Sequence, residues 1–591
     1  MTYRAPLKDM KFVLHELAGL EGVAKLPGYE EATPDTVEAI LEEASKFASG
    51  VLDPINYSGD QEGSKWADGE VRTPKGFREA YKQFCEGGWN ALPFEAEWGG
   101  QSLPRLVSTP VQEMWKSSNM SFSLCPLLTQ GAIEALLLRG SDELKQVYLP
   151  KMVEGRWTGT MNLTEPQAGS DLSLVRTRAE RQSGHFLISG QKIFITYGEH
   201  DLAENIVHLV LARTPEAPEG VKGISLFVVP KFVPNKDGTP GKRNPARCAS
   251  IEHKLGIHAS PTAVMVYDKA VGYLVGEENR GLEYMFIMMN AARFAVGLEG
   301  LAIAERAYQR ALAFAKERVQ GRDLVQGGKA VPIIRHPDVR RMLMLMKSQA
   351  EAMRALAYTT AAAMDLARKA PDPEARKRHQ AFVDLMIPVV KGWCTETGID
   401  VASLGVQVHG GMGFVEETGA AQYLRDARIT TIYEGTTGIQ AMDLVGRKIA
   451  REGGATAKAW LGTLKSLDAE LGQSSNADVK ALRAQLAQGA QAVADCINFI
   501  VETKDPRASF AGAVPFLKLM GIVAGGWQMA RAALAAEKGL ATGDRSFLEA
   551  KIVTARFYGD HVLVQAPALR DTVVKGAAGV MALTEDQFLA A

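Results

Sequence analysis

Glu434 offers the sharpest chemistry in the chain. It lies between Tyr433 and Gly435, just ahead of a Thr436-Thr437 pair able to start a helix. One reading is a solvated carboxylate near a helix cap, a common placement. The other is a base. Removing a proton from carbon needs a base close to that carbon, and a glutamate whose pKa is raised in a desolvated pocket suits the task. Two further segments and two arginines offer ligand-facing groups. Residues 161–171, MNLTEPQAGSD, set Thr164, Gly169 and Ser170 in a turn-rich loop leaving a strand, where backbone N–H groups and hydroxyls can meet polar atoms. Taken alone, that loop also reads as a surface turn. Residues 405–414, GVQVHGGMGF, combine glycines that permit close backbone approach with the Gln407 amide. Arg293 reads equally as a surface ion-pair residue or as a clamp on a polar group, and Arg318 suits a phosphate. His409 has no second ligand at metal spacing, so no metal is expected.

These residues need elements to position them. Thr33 and Pro34 open a helix whose apolar positions are Val37, Ile40, Leu41, Ala44 and Ala48, and Ser141 opens another ahead of Asp142 and Glu143. From about Trp157 to Val275 short apolar runs alternate with turn residues, which predicts a β region, with a tight hairpin at Ser189-Gly190-Gln191. After Gly276, helical periods such as Phe294, Leu298, Leu301 and Ala304 continue with interruptions to about Ile449. Gly453 and Gly454 break the chain before a last Ala- and Leu-rich helical region ending near Leu589. The expected fold class is α+β: an N-terminal helical domain (1–155), a middle β domain (156–275), a helix bundle (276–450) and an appended α domain (455–591).

Bulk properties bound the function. The length of 591 residues suggests about four packed units at ~150 residues each. With 46% hydrophobic and 23% charged residues and a net charge of -1, the composition is globular and predicts no nucleic-acid partner. Cys85, Cys125, Cys248, Cys394 and Cys496 are odd in number and lack CxxC spacing, as in a reduced, cytoplasmic protein. The first twenty residues include Asp9 and lack the features of a secretory signal, and no run of about 18 uninterrupted apolar residues predicts a transmembrane segment.

Taken together, the motifs resemble the acyl-CoA dehydrogenase family. MNLTEPQAGSD followed by GQKIFIT (190–196) resembles its flavin-binding signature. KLGIHAS (254–260), VGEENRGLEYMF (275–286), GVQVHGGMGF and RDARITTIYEGTTGIQ (425–440) then follow in family order across roughly residues 35–450. The resemblance implies FAD as cofactor and an acyl-CoA thioester as substrate. The backbone at Leu163 and Gly169 and the Thr164 hydroxyl would face the flavin, flanked by Phe194 and Thr196, while Thr436 would bind the pyrophosphate. Phe194 stands where the family often has Trp. Ser170 would lie near the pantetheine, and Asn290, Arg293, Tyr433 and Gly435 along the acyl-CoA channel, with Asn290 replacing an acid. Arg318, Gln407 and Gly411 would reach a neighbouring subunit's FAD, although RVQGRDL (318–324) lacks the Phe of the family pattern.

By the same resemblance Glu434 is the base, hydride passes from Cβ to flavin N5, and Ala292 fills the position where some relatives carry the base instead. A homodimer that passes electrons to an electron-transfer flavoprotein is implied. The final region fits a subfamily with an extra α domain that acts on fatty acyl-CoA or 3-methylthiopropanoyl-CoA. An acyl-CoA oxidase and a non-catalytic DNA-associated flavoprotein of the same fold are the alternatives.

Overall fold

The computed structural model describes residues 2–325 and 327–589. Helix α1 (Pro34–Phe47) starts where the Thr33 hydroxyl accepts from the Thr36 N–H at 3.2 Å, with Pro34 in the first turn. Asn119 separates α2 (Arg105–Ser118) from α3 (Met120–Arg139) and caps the latter by accepting from the Phe122 N–H at 3.0 Å. Ser141 caps α4 (Asp142–Val153) in the same way. Both caps read from the sequence are therefore present, because a short hydroxyl side chain ahead of an apolar helical period satisfies a donor the helix cannot.

The chain then becomes sheet. Strands β1 (Trp157–Asn162), β2 (Arg178–Arg181), β3 (Phe186–Thr196), β4 (Asn205–Ala212), β5 (Ser225–Pro230), β6 (Ala246–Ile251) and β7 (Thr262–Leu274) form one sheet in the order β1-β4-β5-β7-β3-β2, with β6 also on β7. Only β1 and β4 pair parallel, Trp157 opposite Asn205. The thirteen-residue β7 joins the halves: Thr262 lies opposite Thr196 of β3, and Leu274 opposite Phe227 of β5. The hairpin expected at Ser189-Gly190-Gln191 does not form; β3 runs straight through it. Gly190 serves a close approach instead, since a Cβ there would lie 2.5 Å from the Thr177 hydroxyl.

Three long helices, α5 (Gly281–Glu317), α6 (Pro337–Lys369) and α7 (Pro373–His409), make the bundle. An exposed hairpin, β8 (Val319–Asp323) with β9 (Gly327–Pro332), interrupts it between α5 and α6. By length and composition α3 and α5 could each cross a membrane, but both are mostly buried inside the fold, as expected of helices apolar on every side. Short helices α8 (Ala420–Ala427) and α9 (Thr437–Asp443) lead into the last helical region. Its main members are α10 (Ala455–Gln473), α11 (Ala477–Glu502), α12 (Ala513–Gly539) and α13 (Arg545–His561).

Helix α12 packs on α7 so closely that a Cβ on Gly521 would lie 2.1 Å from the Trp393 ring. Trp393 is itself buried. We expect Gly521→Ala to overpack this crossing and cost about 1–3 kcal/mol, read as a lowered urea midpoint; a parental midpoint would show that the two helices separate freely.

Candidate active site

Glu434 occupies a turn between the end of α8 and the start of α9. The Thr436 hydroxyl caps α9 by accepting from the Ile439 N–H at 3.2 Å. Glu434 has φ 55°, a left-handed conformation that an ordinary residue adopts only when its surroundings compel it. The compulsion is visible on both sides. The buried Gln440 amide donates to the carbonyls of Glu434 and Gly435 at 3.4 and 3.3 Å. On the other side the Tyr433 hydroxyl donates to Glu299 of α5. The Glu434 backbone N–H meets no acceptor among the described residues.

The Glu434 carboxyl is partly buried, and burial pushes its pKa up to about 7. Lys391 and Arg293 work against that rise, and Glu299 adds to it. Arg293 is buried, with its guanidinium 3.4 Å from the Asn290 side-chain oxygen and 3.8 Å from Asp443. Among the described residues its Nε has no partner, an unusual state for a buried donor that points toward a polar ligand or water. Ala292, its neighbour on α5, is buried and has no group able to take a proton. A cavity of about 420 Å³ opens beside Asn290, Ala291 and Arg293, walled also by Ile387, Arg368 and Lys448.

The second group of expected residues lies on the middle sheet. As the chain leaves β1, the Thr164 carbonyl accepts from the Ile193 N–H at 2.9 Å, which ties the loop to β3. Beneath it lies a buried pair: the Lys192 ammonium donates to the Leu163 carbonyl at 3.0 Å and to Glu165 at 2.8 Å. Burial would raise the Glu165 carboxyl, but Lys192 and the donors of Arg176 and Thr177 hold it down to about 2. Burial brings Lys192 down to about 8, which leaves the pair ionised at neutral pH. Above this support, Gly169 and Ser170 are exposed and Thr164 and Thr196 are partly buried. Phe194 is 60% exposed and has φ 59°. A strained aromatic held open beside exposed backbone donors presents a flat apolar face with a polar edge, which fits a flavin ring.

Arg318, Gln407 and Gly411 form a third group, all exposed. Arg318 follows the last residue of α5, Gln407 lies in the last turn of α7, and the two helix ends are joined by His409 stacked on Phe314 with ring centroids 4.4 Å apart. His409 Nδ1 also bonds the Gly405 carbonyl at 2.7 Å, so its contacts are structural. From Arg293 to the end of α5 is roughly 36 Å along the helix axis. Arg318 is thus far from the Glu434 turn of its own chain.

Sequence reasoning missed Glu299 and Lys391. Both are fully buried, with Glu299 Oε1 and Lys391 Nζ lacking hydrogen-bond partners among the described residues. A signal existed in each case: a lone acid within FAVGLEGLAIA and a lone base within IPVVKGWC.

Known proteins match the chain along its length. Residues 34–156, 160–270 and 279–449 match, in turn, the N-terminal, middle and C-terminal domains of acyl-CoA dehydrogenase, and residues 457–584 match "Acetyl-CoA dehydrogenase C-terminal like". The chain is 52% identical over 573 residues to 3-methylmercaptopropionyl-CoA dehydrogenase of Ruegeria pomeroyi, covering 96% of this chain and 97% of that one. It is 34% identical over 610 residues to the broad-specificity linear acyl-CoA dehydrogenase FadE5 of Mycobacterium tuberculosis, covering 99% and 100%. A crystal structure of acyl-CoA dehydrogenase complexed with FAD from Bacillus anthracis shares the fold at TM-score 0.73 and 20% identity, over 98% of this chain and 93% of that chain. With three family models matched in order over residues 34–449 and relatives that match end to end, the chain belongs to the acyl-CoA dehydrogenase family.

Proposed function

We propose that this FAD-dependent oxidoreductase removes hydrogen from the α and β carbons of a short acyl-CoA, with 3-methylthiopropanoyl-CoA as its first substrate, to give the trans-2-enoyl thioester. The observation that carries the reading is Glu434: a carboxylate raised to about 7 by burial and fixed in a left-handed turn beside Arg293. Its carboxylate takes the α-proton. Its free backbone N–H points to a second task, donation to the thioester carbonyl oxygen as negative charge develops there. Arg293 opposes the loss of charge from Glu434 before the proton arrives. When bound, FAD supplies the hydride acceptor.

Leu163, Thr164, Gly169, Phe194, Thr196 and Thr436 hold that cofactor in this reading. Ser170, Asn290, Arg293, Tyr433 and Gly435 line the thioester, which extends into the cavity beside Arg293. Arg318, Gln407 and Gly411 reach the FAD of a second subunit, because their own turn lies too far along α5 to serve it. We place the enzyme in the cytoplasm as a homodimer, with an electron-transfer flavoprotein as acceptor. The substrate assignment rests on the 52% identity to the Ruegeria pomeroyi enzyme. The relatives reported above are named dehydrogenases, so neither the oxidase nor the DNA-associated alternative gains support from them.

A matched pair of thioesters tests the substrate. Pentanoyl-CoA replaces the sulfur of 3-methylthiopropanoyl-CoA by a methylene. We expect anaerobic flavin bleaching by the sulfur compound to have the higher kcat/KM, by roughly 3- to 30-fold, the scale on which a pocket distinguishes such small apolar changes. Faster bleaching by a long-chain acyl-CoA would overturn the assignment. Peroxide release matching flavin turnover in air would identify an oxidase.

A further inference from the structure

Glu299 lies seven residues beyond Ala292 on α5, about 10 Å along the axis and on the same face. It therefore sits behind the site, where its carboxylate takes the Tyr433 hydroxyl proton donor. Lys391 reaches the same region from α7. The two helices cross tightly here: a Cβ on Gly297 would lie 2.7 Å from the Val390 carbonyl oxygen, and one on Gly300 2.2 Å from that of Cys394. A buried ammonium without a hydrogen bond and a buried carboxylate with one oxygen unpaired are each costly alone. Neighbouring opposite charge compensates them, and Glu434 shares it.

We infer that Glu299 and Lys391 are positioning residues for Glu434: Glu299 anchors the tyrosine that fixes the preceding backbone, and the two together set the charge against which Glu434 accepts a proton. The inference rests on Glu434 being the base. Charges on four elements face this group. Lys116 of α2 faces Glu299, Arg293 of α5 faces Glu434, Glu396 of α7 faces Lys391, and Asp443 of α9 pairs with Arg293. Burial pushes Glu299 up to about 7, as it does Glu434, and brings Lys391 down to about 8. When Glu434 gains the α-proton, Lys391 loses one neighbouring anion, and Glu299 is the other acid beside it.

Two near-isosteric changes displace Glu434 in opposite directions. Glu299→Gln keeps an acceptor for Tyr433 but removes a repelling anion, so the pH midpoint for flavin reduction by pentanoyl-CoA should fall by roughly one unit. Lys391→Met removes an attracting cation, so the midpoint should rise by about as much. An infrared pH titration of the flavin-loaded protein without thioester gives a second readout, in the carboxylic-acid C=O band that disappears in Glu434→Gln. That band should move with the kinetic midpoint in both variants. If band and midpoint stay at their parental pH while Glu434→Gln abolishes reduction, the base stands and the role of Glu299 and Lys391 falls. If Glu434→Gln bleaches like the parent, the reading of the base falls and takes this inference with it.

Discussion

Glu434→Gln should slow flavin reduction by 3-methylthiopropanoyl-CoA or pentanoyl-CoA by roughly a thousandfold or more, within the range that a positioned general base contributes. The amide cannot take a proton, and Ala292 offers no replacement. Stopped-flow bleaching measures the loss directly, and a decrease under tenfold would remove Glu434 from the reaction. In the parent, reduction should accelerate as pH rises through about 7, because the base must be ionised and burial raises its pKa to that value. Stability has the opposite sign. An acid whose folded pKa is raised above its ordinary value costs stability as pH rises from that ordinary value toward the folded one. Glu434→Gln should therefore melt higher than the parent at pH 8 and near it at pH 4, which separates loss of the base from loss of the fold.

Arg354→Met should be the most destabilising single change in the bundle. Arg354 is buried in α6 and donates to Glu113 of α2 at 2.6 Å, to Glu305 of α5 at 2.8 Å and to Asp9 at 2.6 Å. Lys551 of α13 extends the network by donating to the same Asp9 at 2.6 Å and to Glu351 of α6 at 2.7 Å. One buried cluster thus joins the N-terminal segment, the bundle and the last helical region. Removing the guanidinium takes the paired cation from buried Glu113 and Glu305 and leaves Asp9 with Lys551 alone, at a cost of about 3–5 kcal/mol, measured as a lowered urea midpoint at pH 8.

The cost should shrink toward pH 5. Burial raises Glu113 above the usual carboxylate range, so it protonates readily once its partner is gone and the stranded charge disappears. Burial opposes ionisation of Asp9 too, but Lys551 and Arg354 hold it well below that range. Its contribution is present above the ordinary carboxylate pKa and is lost in strong acid. A deficit that is independent of pH would mean that the network carries no net charge interaction.

Local signals in the sequence translated into structure where local chemistry decides the outcome. Thr33, Ser141 and Thr436 cap helices because a hydroxyl at that position bonds a donor two or three residues on, whatever the rest of the chain does. The change from helical to strand periods near Trp157 likewise marks the start of the sheet. The turn at Gly190 was misread because a glycine between two apolar runs looks the same whether it bends a strand or admits a neighbour. Thr177, thirteen residues away in sequence, decides between them.

The candidate site divides along the same line. By itself, the sequence determined the residue types: a glutamate ahead of a helix cap, an arginine and no acid at positions 293 and 292, and a Pro-, Gly- and Ser-rich loop before GQKIFIT. Tertiary structure decided what those types become. For Glu434, the base of the proposed reaction, the fold sets a left-handed turn and a raised pKa, which follows from burial rather than from its neighbours in sequence. Glu299 and Lys391, 92 residues apart, share one buried charge environment only because glycines let two helices touch. Desolvation and charge act through space, so they become legible only once the chain is folded.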